Sequence, residues 1–287
     1  MRGLLSPRFS YRSLDVSGFK TSGYSLALAY DGSLIRTAFG SQIEISKFVR
    51  MKSPVRKMFD EIANRYDFLN HALSCCQDIL WRRSCCRELR KVRPGRRLLD
   101  LCGGTGDFAA TYEKFNGTQD VAILGDFSYG MLKGAAGKKT SAVPVQLDAM
   151  KMPFADGSFD VVLNGFGMRN LPDAEGGLRE SARVLSDGGY LQVLEFFSPR
   201  NAFNKSFYRR LAPLFIPVLG AFFSKRDAYE YLVNSIIRFL PVADFVALAE
   251  KNGFELVHVK PCFFGVAYRV LLRRSVSGEN APAGGAA

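Results

Sequence analysis

Seven short apolar runs recur along the chain: Leu98–Cys102, Val121–Leu124, Val143–Leu147, Phe159–Leu163, Tyr190–Phe196, Phe254–Val259 and Val266–Leu272. Helix-like segments separate most of them. Asp173–Leu185 opens on an aspartate, and Val242–Asn252 is followed by Gly253. Short apolar strands alternating with helices predict a parallel sheet covered by helices on both faces. The last two runs are joined by Lys260–Gly265, too short for a crossover helix, so they are expected to form an antiparallel hairpin. No internal repeat is found.

The ends of the chain break this pattern. Residues 1–50 carry seven basic and three acidic residues, are rich in Ser and Gly, and lack a helical period. That composition is transit-like, but it equally suits a loose tail or a start site at Met51, where patterning begins. The expected organisation is an extension over 1–50, one domain over 51–274 and a frayed tail over 275–287. The longest apolar run, Leu211–Phe223, is 13 residues and holds Pro213 and Pro217, whereas a membrane-spanning helix needs about 20.

Composition narrows the class. At 287 residues, 47% hydrophobic and 23% charged, the chain reads as an ordinary globular protein. Six cysteines, four of them in adjacent pairs, give no C-x-x-C spacing and no disulfide framework, and two histidines make a metal centre improbable. The formal net charge of +12 favours an anionic partner without choosing among nucleic acid, acidic substrate and membrane.

The sharpest chemistry lies in Leu98-Leu99-Asp100-Leu101-Cys102-Gly103-Gly104-Thr105-Gly106-Asp107, a strand running into a glycine turn and then a helix. Glycines admit a sharp turn and close ligand approach, and the helix start offers unpaired N–H groups. Two cofactors fit. Gly104 to Ala109 satisfies G-x-G-x-x-A, with Asp126 20 residues past Gly106, so NAD is a formal candidate. Asp100 argues instead for S-adenosylmethionine (SAM): a carboxylate there repels a pyrophosphate but suits an ammonium and a sulfonium. Asp126, followed by Phe127, is placed to accept hydrogen bonds from ribose hydroxyls. Asp148 is placed to receive an adenine amino group, with the Ala149 N–H beside the ring. Asp156-Gly157-Ser158-Phe159-Asp160 then leads the fourth strand. These ordered elements predict a class I SAM-dependent methyltransferase fold, Rossmann-like, with seven mostly parallel strands and an antiparallel last strand.

From about Val55 to Arg273 the chain resembles the ubiquinone/menaquinone-biosynthesis C-methyltransferases. The resemblance rests on Met58-Phe59-Asp60-Glu61-Ile62-Ala63-Asn64-Arg65-Tyr66-Asp67-Phe68-Leu69-Asn70, on Phe166-Gly167-Met168-Arg169-Asn170-Leu171, and on Val193-Leu194-Glu195-Phe196-Phe197-Ser198-Pro199. Tyr229-Glu230-Tyr231-Leu232-Val233-Asn234-Ser235-Ile236 also matches. It implies SAM-dependent C-methylation of a reduced, polyprenylated quinone ring, demethylmenaquinol being the favoured acceptor and a benzoquinol the other. It also implies that Thr105, Asp126, Asp148 and Ala149 carry cofactor contacts. One position departs from the family: Gly165, preceded by Asn164, stands where a serine is usual, and Asn164 is the candidate to replace that hydroxyl.

A ring carbon becomes nucleophilic when the adjacent hydroxyl ionises, so the site needs a proton acceptor and a group to steady an aryloxide. Arg169, just past the fourth strand, is the candidate for the second task, by holding a water and the anion, with Asn170 on the same oxygen. Tyr66, Asp67, His71 and Glu195 are the candidates for the base. The stretch Arg82 to Arg97, with Glu88 as its only acid, reads as a basic surface for an anionic bilayer rather than for RNA, since no RNA-binding module accompanies it. The aromatic insertion Asn201–Phe223 suits a prenyl tunnel, a membrane contact or a homodimer interface. The expected location is cytoplasmic, peripheral to the inner membrane face, or organellar if the extension is a transit peptide. The competing functions are methylation of another aromatic or lipid acceptor, and a non-catalytic SAM-binding scaffold.

Overall fold

A computed structural model describes residues 54–199, 227–262, 265 and 267–276. The N-terminal extension, the aromatic insertion Asn201–Phe223 and the tail beyond Val276 lie outside the described residues.

The seven expected strands form one sheet: β1 Arg97–Leu101, β2 Val121–Asp126, β3 Val143–Gln146, β4 Phe159–Gly165, β5 Leu185–Glu195, β6 Phe254–Cys262 and β7 Ala267–Arg274. Their order is β3-β2-β1-β4-β5-β7-β6. β1 to β5 pair in parallel, and β7 runs antiparallel to both β5 and β6, as the short Lys260–Gly265 link requires. The order reverses between β1 and β4, which opens a crevice at the carboxyl ends of those strands.

Both faces of the sheet are buried. On β1, Leu99 and Leu101 enter one core with Ile123, Val162 and Val193, while Leu98 enters the other with Leu124, Val161 and Leu163. Helices Ala174–Val184 (α6) and Val242–Lys251 (α8) cover the first face, and Gln77–Val92 (α3) and Asp107–Asn116 (α4) the second. Two small helices, Pro54–Ile62 (α1) and Tyr66–Leu73 (α2), precede α3. Tyr129–Gly134 (α5) follows β2, and Asp227–Arg238 (α7) precedes α8. Asp173 caps α6 by accepting the Glu175 N–H at 3.0 Å, as its position promised. β5 begins five residues before the expected Tyr190, because Leu185 already pairs with Phe159 and Gly188, at φ +73°, absorbs the irregularity.

The basic stretch is not one surface. Arg82 is buried, Arg97 pairs with Asp160, and Arg96 pairs with Asp120 at 2.9 Å. Glu88 is buried too, and gathers His258, Lys260 and Arg269 at 2.8–3.0 Å, fastening α3 to the β6–β7 hairpin. Of the exposed residues, Arg87 lies within α3, and Arg90, Lys91, Arg93 and Arg96 immediately precede β1 and so lie at the amino-terminal edge of the sheet. The crevice is at the other edge, roughly a strand length of ~17 Å away.

Candidate active site

The glycine turn leaves β1 at Leu101 and enters α4 at Asp107. The Gly103 N–H donates to Gly125 O at 3.1 Å, tying the turn to β2. A Cβ on Gly103 would stand 2.4 Å from Leu124 Cδ1 and 2.7 Å from Asp100 Cγ, so any side chain there would displace one of these buried groups. Asp100, just before the turn, is fully buried. Its Oδ2 accepts the Ala109 N–H at 2.9 Å, and its Oδ1 has no partner among the described residues. Burial pushes its pKa up to about 7. A buried acceptor without a donor is costly, and a bound ammonium is the kind of group that removes the cost. On this observation the residues fit SAM.

Asp126 ends β2. Its Oδ2 accepts the Gly104 N–H at 2.9 Å and its Oδ1 accepts the Ser128 N–H at 2.8 Å, while burial raises its pKa to about 6. Ser128 caps α5 itself, through Met131 N–H at 3.2 Å, so the carboxylate is not needed as the helix cap. Leu147 N–H donates to Asp126 O at 3.0 Å, which sets the end of β3 beside the end of β2. Asp148 therefore follows close by, accepting the Met150 N–H at 2.9 Å, with Ala149 buried next to it. The Phe127 carbonyl is held by Gln146 Nε2 at 3.0 Å.

Asn164 is engaged within the fold. Its Nδ2 donates to Leu101 O and its Oδ1 accepts the Met168 N–H, both at 3.0 Å, so its amide is spent joining the ends of β1 and β4. At Gly165 a Cβ would meet Phe108 Cδ1 at 3.0 Å, a tight approach that glycine avoids.

The N-terminal helices cover the turn. Tyr66 and Asn70 of α2 line the crevice together with Arg82, Asp100, Gly104 and Phe166. Burial raises the Tyr66 phenol above its usual range, against a hydrogen bond with Asn70 and the attraction of Arg169. The phenol is thus protonated at neutral pH and cannot serve as a base in this state. Asp67 receives the Thr105 hydroxyl and pairs with Lys138 at 2.7 Å. His71 Nδ1 meets Asp78 at 2.8 Å and does not line the crevice. Asp67 and His71 therefore act here as anchors of α2.

Arg169 sits in a 3₁₀ turn, Met168–Asn170, after β4. Its side chain is 7% exposed, so it is not a surface charge. Nη1 donates to Glu195 Oε1 at 2.6 Å and to Phe166 O at 2.7 Å, and Glu195 also accepts the Arg169 backbone N–H at 3.2 Å. The guanidinium carbon lies 5.5 Å from the centre of the Phe196 ring. Burial raises the Glu195 pKa and Arg169 opposes it, leaving a buried pair in which Glu195 orients the arginine. Arg169 Nε is buried with no partner among the described residues. Asn170 donates to Phe166 O at 3.0 Å and accepts the Tyr231 hydroxyl at 2.9 Å.

Two neighbours escaped the sequence reading. Tyr231, on α7, belongs to the Tyr-Leu-x-x-Ser-Ile element, which was noted only as a resemblance. Arg82 belongs to the stretch that the sequence suggests is a basic surface, although Asp78 one helical turn before it is the available signal of an internal pair.

The model of the ubiE/COQ5 methyltransferase family matches residues 47–270. A demethylmenaquinone methyltransferase of Chlorobaculum tepidum is 38% identical over 219 residues, 75% of this chain and 90% of that protein. A ubiquinone/menaquinone biosynthesis C-methyltransferase of Stenotrophomonas maltophilia is 36% identical over 219 residues, 74% of this chain and 86% of that protein. Among solved structures, a SAM-dependent methyltransferase of Thermotoga maritima superposes with a TM-score of 0.54 at 20% identity, covering 76% of this chain and 98% of that one. The [4+2]-cyclase SpnF does so with a TM-score of 0.56 at 16% identity, covering 77% and 95%. Those two establish the fold alone, since one fold carries both descriptions. With the sequence relatives and the family match together, the chain belongs to the ubiE/COQ5 methyltransferase family.

Proposed function

We propose that this enzyme methylates a ring carbon of a prenylated quinol, with SAM as methyl donor and demethylmenaquinol as the favoured acceptor. The observation that carries the reading, beside family membership, is Arg169: buried, fixed by Glu195 and two aromatic rings, and left with a buried Nε–H that has no partner among the described residues. When bound, SAM supplies an electrophilic methyl group, for which Asp100, Gly104, Thr105, Asp126, Asp148 and Ala149 form the holding set. The Arg169 guanidinium stabilises the acceptor oxygen as it becomes an aryloxide, and the same fork orients a water to take the proton. Glu195 keeps the guanidinium from swinging away. Tyr66 remains a protonated phenol, suited to donating a hydrogen bond rather than removing a proton. The acceptor's prenyl tail would bring the reaction to the surface of a bilayer, where such a tail resides.

Quinone profiling of a strain lacking the enzyme tests the acceptor. Accumulation of a demethylated quinone that the intact gene clears supports the reading; an unchanged quinone profile rejects it. Methyl transfer in a single turnover separates catalysis from a scaffold role.

The raised carboxyl groups give a pH signature. In the free protein Asp100, at about 7, and Asp126, at about 6, hold protons that a cationic ligand disfavours. SAM binding should therefore release protons, and its affinity should rise with pH from about 5 to about 7 and then level off. Calorimetry near pH 6 in two buffers of different ionisation enthalpy reads this directly. Proton uptake, or an affinity flat across that range, would remove Asp100 from the ammonium site.

A further inference from the structure

A closed ring of charges runs beneath α2. Asp67 and His71 stand one helical turn apart on that helix. Asp67 Oδ2 meets Lys138 Nζ at 2.7 Å, and Lys138 also pairs with Asp107, the first residue of α4. Asp107 accepts from Arg82 at 3.2 Å, Arg82 pairs with Asp78, and Asp78 meets His71 at 2.8 Å, which returns the ring to α2. The ring is largely sheltered: Asp78 is 2% exposed, Arg82 8% and Lys138 24%.

Lys138 has a special place in it. It comes from the connection after α5, away from α2, α3 and α4, and among the described residues it is the only cation on Asp67. Its ammonium stands between two carboxylates, Asp67 on α2 and Asp107 at the start of α4, of which only Asp107 has a second cation, Arg82, among the described residues. Without it, Asp67 and Asp107 would face each other as like charges in a half-buried setting, where the repulsion is weakly screened. Asp67 also holds the Thr105 hydroxyl inside the glycine turn. The residues that α2 presents to the crevice, Tyr66 and Asn70, are carried on the same helix.

We infer that Lys138 is a positioning residue: by bridging Asp67 and Asp107 it latches α2 onto the glycine turn and so sets where Tyr66 and Asn70 stand over the cofactor crevice. The inference rests on SAM occupying that crevice. Loss of the latch leaves the binding-competent arrangement only partly populated, which weakens apparent affinity by that fraction and leaves the saturated enzyme nearly unchanged.

The test uses the full chain, with methyl transfer to a short-chain quinol and SAM calorimetry. Lys138→Met should raise the KM and Kd for SAM about 10-fold, with kcat at saturating SAM within about 3-fold of the parent. Lys138→Arg, which can still bridge two carboxylates, should restore the parent KM to within about 3-fold. The double variant Asp67→Asn with Lys138→Met should bind SAM more tightly than Lys138→Met alone, because the repulsion is gone while the amide oxygen still accepts the Thr105 hydroxyl. If Lys138→Met is too unstable to purify, Lys138→Arg and the double variant carry the comparison: the arginine variant must bind SAM within about 3-fold of the parent, and the double variant, which has no bridge, more weakly than the arginine variant. An unchanged SAM KM in Lys138→Met, a failure of arginine to rescue, or a double variant no better than the single overturns the latch. A parent protein that does not bind SAM overturns instead the reading of the crevice on which the latch rests.

Discussion

Arg169→Lys is expected to slow the methyl-transfer step on the order of 10²- to 10³-fold, the size of effect seen when a preorganised donor to a developing anion is removed. A lysine keeps the charge and can still reach Glu195. It loses the planar fork, and with it the Nε–H that the folded chain leaves unpaired in a buried position. The two tasks of Arg169 then compete for one ammonium: satisfying Glu195 and Phe166 O, or facing the acceptor oxygen. The Glu195 carboxylate is fully buried, and leaving it without its cation is expensive, so the ammonium should stay with Glu195. SAM affinity should change little if, as proposed, Arg169 faces the acceptor rather than the cofactor. Single-turnover rates with a soluble short-chain quinol, read beside a SAM titration, check this. Near-normal chemistry would reduce Arg169 to the structural partner of Glu195. Normal chemistry with lost SAM binding would move it to the cofactor side.

Asp126→Ala is expected to raise the SAM dissociation constant about 10- to 100-fold, since hydrogen bonds to a charged acceptor are worth roughly 1.5–3 kcal/mol. The structure gives the loss a second source. Asp126 receives the N–H of Gly104 in the turn and that of Ser128 at the start of α5, so alanine releases the glycine turn and the α5 start from each other. Asp126→Asn keeps one acceptor oxygen, and should fall between alanine and the parent. Calorimetry of the three proteins decides. Equal SAM affinity in all three would remove Asp126 from the site, and tight NAD binding by the parent would return the glycine turn to a dinucleotide.

The legible part of this site was the part built within single strand-to-helix turns. The glycine turn, Asp100 and Asp126 each lie at the carboxyl end of a recognisable strand, and strand order alone brings those ends together. The roles of Tyr66, Asp67 and His71 were left open because the sequence places them on a helix without saying which way it docks. Docking decided it. Asp67 and His71 turn to the charge ring, and Tyr66 to the crevice. The same holds for Asn164, whose amide the fold engages at both ends, through Leu101 O and the Met168 N–H.

By itself, then, the sequence determined the sheet, its hairpin and the glycine turn, because these follow from local periodicity, turn chemistry and short connections, while the family was legible only through the resemblance of its specific motifs. The tertiary structure decided how charge is distributed. Arg82 and Glu88 left the surface, Arg169 acquired Glu195 from 26 residues away, and Asn170 acquired Tyr231 from 61 residues away. A charged residue carries no mark in its neighbourhood that says whether water or a distant partner will balance it. That balance depends on which elements fold against each other, since a charge is kept out of water only where a counter-charge or hydrogen-bond donors arrive with it.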